Sequence, residues 1–131
     1  MGINDYYKQL MIDAMKPHLY SICDSQIDEE DYHFLDLRLI AELLVEPIFQ
    51  MMMAITGSVA ANMITPYVVQ FVKNIKFIRE TQQINISQDK AKLLMIAAIE
   101  SYKESQSSNL LKLVEDVYDM SMKIGDVNHG D

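Results

Sequence analysis

Lys73, Lys76 and Arg79 follow one another at three-residue intervals, and Lys90 and Lys92 come soon after. Residues three apart are neighbours on a helix surface, so the first three make one oblique row of positive charge. The chemistry open to such a row is anion binding. Its target would be a phosphate backbone, an acidic protein surface, or the acidic segment 28–31 of a second copy packed head to tail. The surroundings sharpen the contrast. The chain carries a formal net charge of −8 over 131 residues, with −7 in residues 1–72, +3 in 73–92 and −4 in 93–131. These five cations are the candidate partner- or anion-binding residues; a solvated helix face is the plain alternative.

Other chemistry-bearing spacings are sparse. Glu30 and His33 form one Glu-x-x-His, the spacing of di-iron helical bundles, but those sites need it twice plus two further carboxylates. The same residues read equally as the solvated acidic start of a helix. His18 and Cys23 stand five apart near an expected chain bend, which suits a buried thiol better than a nucleophile pair. There is no glycine-rich phosphate loop, no Cys-x-x-Cys, no His-Glu-x-x-His and no Gly-x-Ser-x-Gly. No catalytic residue, metal ligand or cofactor is therefore assigned, and a non-enzymatic role is expected.

The second candidate surface is apolar. Residues 47–72 run without a charged side chain. Met51, Met52 and Met53 point in three successive directions around a helix, so one face cannot bury them all. Gly57 and Ala61, four apart, would let another backbone come close. These five residues are the candidate oligomer interface. A membrane span is the competing reading of such a run, but Gln50, Asn62, Gln70 and a proline in its middle oppose it.

The elements that would position these residues are helices. Four glycines and three prolines are too few for an all-β domain, which needs turn residues at regular spacing. Tyr7, Leu10, Met11, Ala14 and Met15 trace one apolar stripe, predicting a helix over 4–16 that Pro17 ends. A second helix is expected from an Asp28 cap to about Val45, although residues 35–39 alternate with the period of a strand. Pro47 and Pro66 suit first helical positions, dividing the apolar run into helices 47–64 and 66–82 with Thr65 capping the second. Ser87 caps a helix over 88–104 with Ala91, Leu94, Met95, Ala98 and Tyr102 inward. After a polar linker at 105–109, a last helix turns Leu110, Val114, Val117 and Ser121 inward and stops at Gly125.

Together these readings predict an all-α, compact bundle of five to six helices around a hydrophobic central pair. It would form one domain over 1–125, with a flexible tail at 126–131. The hydrophobic fraction of 50% suits a globular core. A lone Cys23 and the lack of a leader-like segment suggest a cytoplasmic chain. The expected function is protein–protein association, as a homo-oligomer, a subunit of an assembly, or an acidic inhibitor or immunity-type protein. The alternative is a small subunit of a nucleoprotein complex, such as an RNA-guided defence effector, touching nucleic acid through 73–92. Overall acidity weighs against that alternative.

Overall fold

Five α-helices are present in the computed structural model, which describes residues 2–24, 37–55, 57–102 and 108–128. They are α1 (Ile3–Asp24), α2 (Leu37–Ala54), α3 (Ala61–Gln82), α4 (Gln88–Ser101) and α5 (Ser108–Asn128). No strand occurs among the described residues, and residues 37–39, read ambiguously from sequence, are helical. The acidic segment 28–31, the Asp28 cap and the Glu30–His33 pair lie outside the described residues.

Packing follows a ring. α1 packs on α2 and α4, α2 on α3, α3 on α5, and α5 back on α4, while α2 and α4 also meet across the middle. Into that middle go Met11, Met15 and Leu19 from α1, Leu44, Ile48 and Met51 from α2, and Val68 and Phe71 from α3. Leu94, Met95 and Ala98 of α4 and Val114 of α5 complete the core. The expected inner faces of α4 and α5 are those observed, with Tyr102 and Ser121 half-buried at their margins.

Helix boundaries differ from expectation at every proline, and for one reason. Pro17, Pro47 and Pro66 all sit inside helices rather than at their ends. An internal proline leaves the carbonyl four residues earlier without its N–H donor. Pro17 and Pro66 are exposed, as are Asp13 and Asn62 four residues before them, so water reaches the freed groups. Pro47 is buried, and there the protein supplies a substitute. The Asn74 side-chain amide of α3 donates to the Leu43 carbonyl at 2.8 Å. Gln70 donates to the Asn74 side-chain oxygen at 2.9 Å, which turns the amide's N–H toward Leu43.

The corner between the two central helices therefore falls at 55–60, not at Thr65-Pro66. Thr65 is no cap; its hydroxyl donates back to the Ala61 carbonyl at 2.7 Å. Gly57 lies in that turn at φ +67°, a left-handed conformation that glycine adopts without the Cβ clash other residues meet. A Cβ at Gly57 would meet nothing within 4 Å, so its role is backbone shape rather than close helix packing. At the other end α3 stops at a left-handed Gln83, and Ile84 and Ile86 plug the core from the connecting loop. Ser87 caps α4 as expected, its hydroxyl accepting from the Lys90 N–H at 3.2 Å. α5 continues through Gly125 to Asn128, so Gly125 does not terminate it.

Candidate interaction surface

The five candidate cations do not share one face. Along α3 the core residues are Ile64, Val68, Phe71, Ile75 and Ile78. At about 100° per residue, Lys73 points directly away from that stripe, and each three-residue step turns back toward the core by about 60°. Lys73 and Lys76 are exposed, but Arg79 is half-buried, and its Nε is the one buried side-chain nitrogen or oxygen without a hydrogen-bond partner among the described residues. Arg79 and Lys92 instead approach Tyr118 of α5. Lys92 pairs with Asp119 at 2.8 Å and lies over the Tyr118 ring, 5.9 Å from its centre. Asp119 holds the Lys92 ammonium above its ordinary pKa. Lys90 is exposed at the start of α4. The row of three thus splits into two solvent-facing lysines and one arginine turned into a helix junction.

Tyr118 is the structural centre of that junction. It is 2% exposed, and its hydroxyl donates to the Gln88 carbonyl at 2.8 Å, tying α5 to the first turn of α4. Burial pushes the phenol up to about 12, against the opposing pull of Arg79, which favours the phenolate. The sign follows directly. The unfolded phenol ionises near 10, the folded one near 12, so the native state loses stability as pH rises through that interval. Tyr118→Phe is expected to cost about 0.5–1.5 kcal/mol at neutral pH for the lost hydrogen bond. It should also flatten the alkaline decline. Urea titrations of both proteins across that interval measure this, and parallel alkaline curves would contradict it.

The candidate interface residues also separate. Met51 is fully buried and Met52 is 8% exposed, both inside the chain's own core. They cannot meet a partner because α2 is enclosed on that side. Met53 is 48% exposed, and Gly57 and Ala61 are exposed around the α2–α3 turn.

A different surface emerges along the outer side of α2 and α3. The two helices run antiparallel, joined by the 55–60 turn, with the Asn74–Leu43 hydrogen bond fixing their register. A groove of about 540 Å³ runs between them, lined by Leu39, Leu43, Pro47 and Tyr67 with the amides of Gln50 and Gln70. Glu42 and Glu46 form its α2 rim. Hydrogen bonding from Gln50, with help from Lys8 at 2.9 Å, holds the Glu46 carboxyl below its ordinary range. Leu39, which lines the groove, is 51% exposed, and the same two helices also expose Phe77 at 54%, Met53 at 48% and Met63 at 36%. Sequence reading missed Leu39, Phe77 and Met63 because single apolar residues in a helix carry no signal that they stay exposed; only the packing shows it.

No helix among the described residues is long and apolar enough to cross a membrane. No family model, no curated protein and no solved structure matches the chain.

Proposed function

We propose that this chain works by protein–protein association and that the outer face of the α2–α3 hairpin is its contact surface. One observation carries the reading: Leu39, Leu43, Pro47 and Tyr67 line a single groove between α2 and α3, and Phe77, Met53 and Met63 stand exposed on the same two helices. Scattered exposed apolar residues are ordinary on any protein, whereas a contiguous apolar patch marks an interaction site. Glu42 and Glu46 line the same groove, and the exposed Lys73 lies on α3 at their height, so charge sits between the apolar pairs and gives the face its selectivity. The nucleoprotein reading draws on the exposed Lys73, Lys76 and Lys90 alone, since Arg79 and Lys92 are engaged with α5.

The test is affinity purification of the tagged full chain from its own host, with and without nuclease. Phe77→Asp should lose the retained protein, while Met120→Asp, at a somewhat more exposed apolar site on α5, should keep it. Retention that is indifferent to Phe77→Asp contradicts the reading. Retention abolished by nuclease favours the nucleoprotein alternative in its place.

A further inference from the structure

We infer that the occupant of the α2–α3 face is a second copy of this chain, joined two-fold so that each α2 lies on the other copy's α3 as a four-helix layer. The inference rests on the association reading above and deepens it by naming the partner. Its ground is a self-complementarity set by the hairpin's register. Leu43 and Asn74 lie level, being hydrogen-bonded across the groove. Both helices rise about 1.5 Å per residue in opposite directions, so stepping equally from that pair finds other residues at one height.

Three levels result. Leu39 is level with Phe77 to within about one residue. Lys73 is level with the midpoint between Glu42 and Glu46. Met53 is level with Met63 to within about one residue. All seven are exposed. On each helix they fall within a sector of about 80°, at about 100° per residue, on the side away from the core.

A two-fold axis along the groove preserves height and exchanges the two sides. It would set Leu39 of one copy on Phe77 of the other, Met53 on Met63, and Lys73 between Glu42 and Glu46. Apolar meets apolar and cation meets anions, twice over. An axis across the helices would instead oppose α2 to α2, bringing Glu42 and Glu46 toward their own copies. Even with Arg38 on Glu42 at 3.2 Å and Lys8 on Glu46 at 2.9 Å, that arrangement lacks the cation that Lys73 brings, so the charges favour the axis along the groove. A dimer of standard size buries about 800 Å² per partner, roughly a tenth of this chain's 7990 Å². Two helices of 18 and 22 residues, about 27 and 33 Å long, offer a face of that scale.

Sedimentation velocity of the full chain tests this. The wild type should sediment at micromolar concentration as twice 15.1 kDa. Lys73→Glu and the double variant Glu42→Lys/Glu46→Lys should each associate at least about tenfold more weakly, because like charges then face each other. An equimolar mixture of the two should recover wild-type association, since both half-interfaces are complementary again. Helical circular dichroism checks that each variant folds. Should the double variant unfold through loss of the Lys8–Glu46 bridge, Phe77→Glu against Met120→Glu supplies the same comparison. A wild type monomeric throughout, variants that dimerise unchanged, or a mixture that stays monomeric would each overturn the inference. If the wild type is monomeric while Phe77→Asp still releases a different host protein, the second-copy inference fails and the association reading stands.

Discussion

Replacing Phe71 by alanine lowers the stability of the fold by about 3–5 kcal/mol. Phe71 is fully buried in the middle of α3, the helix that packs on both α2 and α5. Its ring fills the space between Val68 and Ile75 on the inner stripe of that helix. Truncation removes the transfer free energy of the ring and leaves a cavity whose walls are held by helices on two sides, so collapse is limited. Urea denaturation read by circular dichroism measures the change. A loss under about 1 kcal/mol would mean that the centre of the bundle repacks freely, and the assignment of Phe71 to a rigid core would be wrong.

Asn74→Ala is expected to cost about 1–3 kcal/mol, far more than a part-buried polar residue at a helix surface ordinarily contributes. The cause lies in another helix. Pro47 provides no N–H for the Leu43 carbonyl, and the Asn74 amide is what satisfies it. Without that amide the Leu43 carbonyl loses its protein partner at a part-buried site, so a share of its desolvation penalty adds to the small net value of one hydrogen bond. The proof is a cycle. Pro47→Ala restores the missing backbone donor, so in that background Asn74→Ala should cost at least about 1 kcal/mol less. Equal costs in both backgrounds would show that the two residues act independently.

That pair also explains which parts of the structure were legible in the sequence. The all-helical class was, because turn residues are few and the apolar periodicity of α4 and α5 is clean. Ser87 was legible as a cap because a Ser ahead of a periodic run has one cheap use, accepting from the first turn. The central hairpin was not. Proline is read as a boundary on local grounds, and whether a freed carbonyl finds water or a distant amide is decided by tertiary contacts that no local window contains. Asn74 is 31 residues from its acceptor.

The site suffered from the same error in different ways. The Met51–Met53 run was rightly seen as unable to share one face, but it resolved into two core residues and one exposed one. The cation row was visible as spacing, and its turn toward the core at Arg79 follows from the step of about 60° and the apolar stripe of α3, but its approach to Tyr118 depends on where α5 lies. Leu39 and Phe77 carry no motif; only the packed hairpin shows them at one height on one face.

The central claim is that the outer α2–α3 face is where this protein meets a second copy of itself, and its methionines offer the most direct readout. Met53 and Met63 are exposed on α2 and α3, Met120 is exposed on α5, and Met11, Met15, Met51, Met52 and Met95 are buried. With methyl-labelled methionine, a dilution series by NMR follows each site separately in the unmodified chain. The account predicts that the Met53 and Met63 resonances move with concentration while those of Met120 and the five buried methionines stay fixed. Movement of Met120 with Met53 and Met63 unchanged, or no concentration dependence at any exposed methionine, would contradict it.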